Sequence, residues 1–410
     1  MTQEHRKFDI IVQGATGFTG TLVAAYLLRQ YGANGNLRWA LAGRSEAKLR
    51  QVRDGLGAGA GELELIVADS FDKAALSELA AQTRVVLTTV GPYALYGSDL
   101  VEACVNAGTH YCDLAGEVQW IRKMIDQHHA KACETGAKIV HCCGFDSVPM
   151  DIGVWSLQES VHEKYGKYCT SISMMVRATK GTASGGTLAS MMNLIKESRE
   201  DRAIARTLID PYSLNPEGER QGPDERDQKS VIYRDDAGSW TAPFVMAGVN
   251  TKVVRRSHAL AAYPYGKEFR YDESVMTGRG FSGWMKGTLM TLGLGAIVFL
   301  ASFTPTRKLL QRYVLAKPGE GPDEEMQKTG FFKLVQIGKL ADGTTVRGTV
   351  SGDQDPGYGS TSKMLSECAV CLAKDDLEIG GGVLTPASAM ARPLLKRLRE
   401  NAGLIFELSD

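Results

Sequence analysis

Apolar runs of strand length alternate with helical patterns over the first third of the chain. The predicted strands are Phe8–Gln13, Leu37–Ala42, Leu63–Ala68, Val85–Val90, His110–Leu114 and Lys138–Cys142. The predicted helices are Thr21–Tyr31, Ala47–Leu56, Lys73–Ala81, Ser98–Ala107 and Val118–Glu134. Such alternation is typical of an α/β fold with a doubly wound parallel sheet. Ligands bind these sheets at the carboxyl ends of the strands, so the candidate chemistry lies there.

The pattern changes after Pro149 and predicts a second domain. Longer apolar stretches without regular helices between them lie at Tyr168–Thr179, Val231–Arg234, Phe269–Thr277, Phe331–Ala341 and Thr344–Ser351. They favour an α+β domain with a mixed or antiparallel sheet. Helical patterns return at Ser360–Lys374 and Ala387–Asn401. We therefore predict a Rossmann domain over 1–148, a substrate or oligomerisation domain over 149–357, and C-terminal helices at about 358–410 that pack back on the first domain.

A glycine-rich turn separates the first predicted strand from the first predicted helix. It consists of Gly14, Ala15, Thr16, Gly17, Phe18, Thr19 and Gly20. In a dinucleotide site the first glycine permits a tight turn, the second lets the backbone approach the pyrophosphate, and the third lets helix and strand pack closely. Amide groups at the helix N-terminus then face the phosphates. The G-x-x-G-x-x-G spacing differs from the commoner G-x-G-x-x-G, so the glycines by themselves also fit an ordinary strand-to-helix turn.

The end of the second predicted strand indicates which dinucleotide binds. The residues there are Gly43, Arg44 and Ser45, with Lys48 one helical turn further on. An acidic residue at this position would accept hydrogen bonds from a free ribose 2′-hydroxyl. A guanidinium instead pairs with a 2′-phosphate and stacks on adenine. We therefore expect the cofactor to be NADP(H); the alternative for Arg44 is a solvated surface side chain.

Three further strand ends would border the same cofactor. Asp69 follows the third strand, where it would either meet the adenine or cap the segment that begins at Phe71. The loop after the fourth strand would pass the ribose and nicotinamide, and the loop after the sixth strand would also contact the cofactor. Their cofactor-binding candidates are Val90, Gly91, Pro92, Gly144, Phe145 and Asp146.

Three carboxylates at the strand ends are candidates for acid–base chemistry. Asp113 and Glu117 follow the fifth strand, and Asp146 follows the sixth. One of them could donate a proton if burial raises its pKa. The structural alternative is clearest for Asp146, which with Ser147 resembles a helix N-cap ahead of Pro149.

Composition excludes one class of partner and indicates a compartment. The 47 lysines and arginines balance the 47 aspartates and glutamates, and no basic stripe indicates binding to nucleic acid. The chain has eight cysteines and a polar N-terminus without a signal-peptide pattern, so we expect a reducing cytosol. Cys368 and Cys371 have no second pair or neighbouring histidine, so we expect them to pack in the core. No motif indicates a metal site.

One segment departs from the pattern of a soluble protein. Residues 287–303, within an apolar segment at 284–303, contain no charged side chain. As a helix they would span about 26 Å, slightly less than a bilayer core of about 30 Å. Three interpretations stay open: a buried or interface helix, a lipid-contacting helix on a membrane surface, and a true membrane span. Cations flank the segment at Arg279, Lys286, Arg307, Lys308 and Arg312.

Several motifs together resemble the saccharopine dehydrogenase-like oxidoreductases. They are GATGFTG, AGRS, TTVGPY, HYCDLAGE and GFDSVP, with KPGEGP at 317–322 and GGVLTPA at 381–387. Within that family the chain is most similar to the trans-acting enoyl reductases and the lipid-associated branch. The resemblance covers nearly the whole chain and implies an NADPH-dependent oxidoreductase.

One departure from the family pattern bears on the substrate. Saccharopine dehydrogenases use a Lys/Asp pair near the nicotinamide, and Asp113 matches the Asp position. The segment from Gly91 to Tyr96 contains no lysine. This departure argues against an amino-acid substrate and leaves a hydrophobic, tyrosine-bearing mouth suited to an acyl chain or other lipid.

The resemblance leads to a specific functional expectation. NADPH would deliver hydride to a carbon–carbon double bond of an acyl, polyketide or isoprenoid lipid. Tyr93 or Tyr96 would donate a proton or orient the carbonyl, with Asp113 supporting them. The alternatives are reduction of a C=O or imine in a polar substrate, and a non-catalytic NADPH-binding protein associated with lipid. We also expect a cytoplasmic protein, at the inner face of a membrane or on lipid bodies through 284–303, and a homodimer is plausible.

Overall fold

Seven parallel strands form the first sheet of the computed structural model, which describes residues 6–57, 59–181, 184–303, 305–306, 321 and 324–409. The strands are β1 (Phe8–Gln13), β2 (Trp39–Gly43), β3 (Glu64–Val67), β4 (Thr83–Thr88), β5 (His110–Cys112), β6 (Lys138–Val140) and β13 (Gly382–Leu384). Their order is β13-β6-β5-β4-β1-β2-β3, the Rossmann order with one added edge strand. The predicted parallel sheet is confirmed.

Helices cover both faces of this sheet. They are α1 (Phe18–Tyr31), α2 (Glu46–Gly55), α3 (Lys73–Gln82), α4 (Tyr93–Tyr96), α5 (Ser98–Ala107), α6 (Val118–Thr135) and α7 (Val148–Tyr165). Every residue of β1 is buried, because a central strand of a parallel sheet has helices above and below it. α1 begins three residues earlier than the pattern indicates, directly after Gly17.

The second sheet is mixed, as predicted. Its order is β14-β12-β11-β7-β10-β9-β8. The strands are β7 (Ser171–Lys180), β8 (Ile232–Arg234), β9 (Ser239–Pro243), β10 (Arg270–Gly278), β11 (Phe331–Lys339), β12 (Thr345–Gly352) and β14 (Leu404–Ser409). β7 and β10 pair in parallel, and the other neighbours pair antiparallel.

The expectation of no regular helices between these strands is wrong. The structure has α8 (Gly185–Glu200), α9 (Arg202–Ile209), α10 (Ala247–Leu260), α11 (Gly280–Ala301) and α12 (Glu324–Thr329). α10 shows why the pattern misleads, because its interior face includes the buried cations Lys252, Arg255 and Arg256. Each of them donates a hydrogen bond to a backbone carbonyl. Because these polar residues occupy buried positions, they interrupt the apolar periodicity by which a helix is recognised in a sequence.

The C-terminal segment contributes to both sheets. α13 (Gly359–Lys374) packs on α1 and on strands of the first sheet, while α14 (Pro386–Glu400) packs on α7 and α10. Cys368 and Cys371 are fully buried in α13, so their core role is confirmed. One apolar core runs from β1 through α7 and α13 to β11 and β12. The domain limits at 148 and 357 stay predictions.

Candidate cofactor and active site

Steric contacts explain two of the three glycines in the turn after β1. Gly14 has φ +86°, and a Cβ atom there would lie 2.7 Å from Cγ2 of Val90. A Cβ on Gly20 would lie 2.2 Å from the Gly14 carbonyl oxygen. Gly17 is less constrained, since its Cβ would lie 3.4 Å from the same oxygen. The fold therefore does not require glycine at position 17, but the missing side chain leaves space for a ligand to approach the backbone.

The N-terminus of α1 is suited to a pyrophosphate. Gly17 is the N-cap residue, no side chain of the described residues caps the helix, and the first turn carries no acidic residue. The first backbone bond of the helix joins the Thr21 amide to the Gly17 carbonyl at 2.9 Å. The amides of Phe18, Thr19 and Gly20 thus stay available to an anion at the positive end of the helix dipole.

The end of β2 is suited to a 2′-phosphate. Arg44 is exposed and forms no ion pair within the described part of the chain. Ser45 caps α2, where its hydroxyl accepts a hydrogen bond from the Lys48 amide at 3.4 Å. A free guanidinium beside a helix N-terminus provides two favourable partners for a phosphate dianion.

The loop after β3 is the segment predicted to border the adenine. Oδ1 of Asp69 accepts a hydrogen bond from the Phe71 amide at 3.0 Å, whereas Asp72 caps α3. Asp69 thus shapes a turn and is not the N-cap of the helix. Phe71 is 70% exposed, and its ring centre lies 5.6 Å from that of Tyr96. Tyr96 therefore lies toward the adenosine half of the strand ends, away from the expected position of the reacting atoms.

Glu117 anchors the loop after β4. Its carboxylate accepts hydrogen bonds from the Tyr93 and Ala94 amides at 2.7 and 2.9 Å, and from the Ser190 hydroxyl at 2.8 Å. Burial raises the pKa of this carboxyl. Because all three donors belong to the protein, Glu117 holds Val90–Pro92 in place and joins the loop to α8.

Tyr93 is an interior residue. Its side chain is 5% exposed, and its hydroxyl donates to the Thr88 carbonyl and accepts from the Leu114 amide. Burial raises its pKa far above the ordinary range. The geometry therefore disfavours Tyr93 as the proton donor that the motif suggests.

Asp113 is also an interior residue. Its carboxylate is fully buried and accepts hydrogen bonds from Tyr111, the Ala115 amide, His141 and the Cys142 amide. Asp113 joins the loops after β5 and β6. Because it is fully buried, its position allows it only a supporting role. None of the motifs includes His141, whose Nδ1 lies 2.7 Å from Asp113, because a lone histidine directly after a strand carries no sequence signal.

Asp146 is the least buried of the three strand-end carboxylates. It is half-buried, and burial raises its pKa to about 6, although the Thr187 hydroxyl on α8 partly opposes this shift. The N-cap interpretation is wrong for this side chain: Ser147 holds the N-cap position of α7, and the Ser147 hydroxyl donates to Asn250 at 3.1 Å.

Distant segments complete the mouth. The Gly185 amide, beside Thr187, donates to the Tyr358 hydroxyl at 2.9 Å, and the Tyr358 ring lies 4.8 Å from that of Phe18. Phe145 lies 4.8 Å from Phe332, centre to centre. Gly321 also lies against Phe18, whereas the rest of the KPGEGP motif is outside the described residues. Phe18, Phe145 and Gly321 belong to motifs recognised in the sequence, whereas Phe332 and Tyr358 carry no local signal.

Comparison with known proteins decides the family. A model of the saccharopine dehydrogenase NADP-binding domain matches residues 10–140. A Mycobacterium tuberculosis protein, provisionally named a trans-acting enoyl reductase, is 40% identical over 410 residues, with 97% of each chain covered. The trans-acting enoyl reductase of Mycobacterium ulcerans is 38% identical over 421 residues, with 99% of each chain covered. The chain belongs to the trans-acting enoyl reductase family.

Membership of this family confirms an NADP-dependent oxidoreductase with a saccharopine dehydrogenase-like fold. Saccharopine dehydrogenase (L-Glu forming) from Saccharomyces cerevisiae has the same fold, with a TM-score of 0.53, 14% identity, and 98% and 99% of the two chains covered. In this reductase family member the described residues include no cluster of three or more metal-ligating side chains.

Proposed function

We propose that this protein is an NADPH-dependent enoyl reductase that saturates a carbon–carbon double bond of a hydrophobic acyl, polyketide or isoprenoid lipid. The observation that carries the proposal is the mouth beside the glycine turn. It combines aromatic side chains, Phe18, Phe145 and Tyr358, with the half-buried carboxyl of Asp146. Apolar walls suit an acyl chain, and its activated alkene needs one proton donor.

The residues of the mouth have distinct roles in this reaction. NADPH supplies hydride when it is bound. Asp146, in its acid form, would give its proton to the carbon that is left with the electron pair. The π bond is then replaced by two C–H bonds, one from the hydride and one from this proton, and a C–C single bond remains. Thr187 holds the carboxyl, and the surrounding rings limit the access of water. The assignment of Asp146 replaces Tyr93 and Tyr96 as the favoured donor because Tyr93 is buried and Tyr96 lies toward the adenosine half.

The pH dependence of turnover tests this assignment. Only protonated Asp146 can act, so kcat/KM for an enoyl thioester should fall as pH rises above about 6. The Asp146→Asn substitution should lower kcat/KM about 100-fold. It should also abolish the fall of kcat/KM with rising pH. NADPH absorbance reports turnover. Tyr96→Phe is the control and should keep the wild-type profile; an unchanged profile in Asp146→Asn would refute the role.

We also propose that α11 brings the enzyme to a lipid surface. Most of its large apolar side chains are exposed, including Phe281 at 73%, Leu292 at 65% and Phe299 at 64%, so α11 is not buried among the residues that the structure describes. Length and composition alone would let α11 cross a membrane. Both ends contact the folded chain, however: Gly283 and Gly287 pack on the second sheet, and Ala301 is buried.

Attachment at both ends favours a helix that lies on the membrane surface over one that spans it, since a span would draw the polar second domain into the bilayer. The exposed cations Arg279 and Lys286 would meet anionic headgroups. A cytoplasmic enzyme at the inner face of a membrane or on lipid bodies follows as part of this proposal. A homodimer stays a prediction.

A further inference from the structure

Helix α8 connects the carboxyl of Asp146 with the C-terminal end of α11. At the start of α8 the Thr187 hydroxyl forms a hydrogen bond with the Asp146 carboxyl. At its end the Arg199 guanidinium donates to the Ser302 carbonyl and lies 5.4 Å from the ring centre of Phe303. The helix rises about 18 Å between Thr187 and Arg199. It therefore reaches from the proposed proton donor to the helix that we place on the lipid surface.

One side of α8 is fixed to the start of α6 by polar contacts. The Ser190 hydroxyl donates to Glu117 at 2.8 Å. Further along, the Glu197 carboxylate accepts hydrogen bonds from Gln119 at 2.8 Å and from Asn193 at 2.9 Å. Because Ser190, Asn193 and Glu197 are three and four residues apart, they share one side of the helix. These contacts determine which side of α8 faces α6 and which sides remain for other partners.

A second side of α8 forms an apolar stripe that the protein covers only in part. Met191, Leu194 and Ile195 follow Thr187 at spacings of four, seven and eight residues, which place them on the same side of the helix as Thr187. All three are half-buried, and none is among the buried residues of α8. The stripe begins at the residue that contacts Asp146 and continues away from it toward α11.

The acyl chain of the substrate is the occupant that this stripe suits. An alkene that receives a proton from Asp146 must lie beside that carboxyl, and thus beside Thr187. The acyl chain is attached directly to the alkene, so it needs an apolar surface that leads away from the same place. Met191, Leu194 and Ile195 provide such a surface without a charged residue among them.

We propose that the apolar stripe of α8 binds the acyl chain and makes the enzyme selective for long-chain enoyl thioesters. This inference rests on the proposed enoyl reductase function and extends it to the class of acyl chain. The chain runs along α8 toward α11, where its far end meets the lipid surface. Met191 and Ile195 lie about 6 and 12 Å from Thr187 along the helix axis, so they contact successive parts of the chain.

Turnover of a series of 2-enoyl coenzyme A thioesters, from butenoyl to hexadecenoyl, tests the selectivity, with NADPH absorbance as the measurement. Wild type should prefer hexadecenoyl to butenoyl at least about 100-fold in kcat/KM, because each buried methylene adds to binding. Ile195→Glu should reduce this preference at least about tenfold by placing a charge beside the chain. Ile209→Glu introduces the same charge on α9, at a side chain that is 48% exposed, and should keep the wild-type preference.

Two bulky substitutions test the path of the chain. Met191→Trp should block the stripe about 6 Å closer to Asp146 than Ile195→Trp does. Met191→Trp should therefore shift the preferred substrate to a shorter chain than Ile195→Trp. One chain-length profile shared by wild type and both variants would overturn the proposal. Cooperative thermal unfolding and wild-type affinity for NADPH must first show that each variant is folded.

Binding of palmitoyl coenzyme A, which has no alkene, separates this proposal from the reductase reaction. In calorimetric titration, Ile195→Glu should bind it at least about tenfold more weakly than wild type and Ile209→Glu do. Such a difference, without turnover of any enoyl thioester, would support the acyl site and refute the reductase. Turnover with equal kcat/KM for butenoyl and hexadecenoyl, or no binding of palmitoyl coenzyme A by wild type, would overturn the acyl site.

Discussion

Single glycines in the cofactor turn have distinct physical roles. Gly20 lies in a helix, where alanine is ordinarily more stable by about 1 kcal/mol. Here the added methyl group would meet the Gly14 carbonyl oxygen at 2.2 Å, and backbone atoms cannot move aside as a flexible side chain can. The steric cost therefore exceeds the gain in helix propensity.

Gly20→Ala should lower the free energy of unfolding by about 1–3 kcal/mol, as overpacking does, and should weaken NADPH binding because the turn must shift. Urea unfolding measures the first effect. Gly55→Ala is the matched control, since it is also helical and has nothing within 4 Å of the new Cβ; it should be neutral or slightly stabilising. Equal behaviour of the two variants would contradict the steric argument.

Arg44 should decide the choice between the two nicotinamide cofactors. Arg44→Ala should weaken NADPH binding about 10- to 100-fold, the worth of a charge-assisted hydrogen bond, and leave NADH binding unchanged. Cofactor fluorescence measures both affinities. Arg50→Ala removes another exposed arginine of the same region, one paired with Glu46, and should have no effect. Parallel losses for NADPH and NADH would show that Arg44 does not contact the 2′-phosphate.

At the scale of elements, α11 combines a fixed attachment with an exposed apolar surface. A Cβ on Gly283 would lie 2.3 Å from the Gly278 carbonyl oxygen, so small residues let the helix start close to the sheet. Leu289, Leu292 and Phe299 then share one side of the helix by their spacing, and each is more than half exposed. A stripe of this kind is unusual on a soluble surface and typical of a lipid-contacting helix.

Leu292→Glu should reduce binding to vesicles of phosphatidylglycerol and phosphatidylcholine by more than about tenfold, since a leucine side chain contributes about 2 kcal/mol when buried in an apolar environment. Co-sedimentation measures the bound fraction. Ile405→Glu introduces the same charge at an exposed apolar position of β14 and should bind as wild type does. If wild-type protein stays in the supernatant, the membrane proposal fails.

At the scale of the whole molecule, a buried polar network joins the second sheet to α10 and to the start of α7. Glu273 on β10 accepts hydrogen bonds from Asn250 at 3.0 Å and Tyr271 at 2.8 Å, and Asn250 accepts one from Ser147 at the start of α7. Burial raises the pKa of Glu273 to about 8. The folded protein therefore holds a proton there that the unfolded chain, with an ordinary carboxyl, releases near pH 4.5.

The free energy of unfolding should consequently decrease as pH rises from about 5 to about 8, by more than about 1 kcal/mol. The contribution of Glu273 is complete at low pH and is lost as pH rises through about 8. Glu273→Gln should flatten this slope in urea unfolding. Glu64→Gln on the exposed β3 strand is the control; a slope equally steep in Glu273→Gln would exclude this residue as its source.

The sequence by itself determined the features that are local in the chain. The parallel sheet, the glycine turn and Arg44 could be predicted because each depends on neighbouring residues: apolar periodicity, freedom at φ, and a position directly after a strand. Helix α10 could not be predicted in this way. Lys252 and Arg256 interrupt its apolar pattern, and the tertiary contacts that bury them cannot be read from neighbouring residues.

Tertiary structure alone decided which strand-end carboxylate faces the mouth. Asp113, Glu117 and Asp146 occupy equivalent places in the sequence pattern, yet Asp113 and Glu117 find donors on other loops and on α8, whereas Asp146 stays partly open. The aromatic walls from Tyr358 and Phe332 come from more than 180 residues away in sequence, so no local pattern could reveal them. Residue type and spacing do not distinguish these three carboxylates. Their burial and their hydrogen bonds to distant segments do, and these determine which chemical role each carboxylate can have.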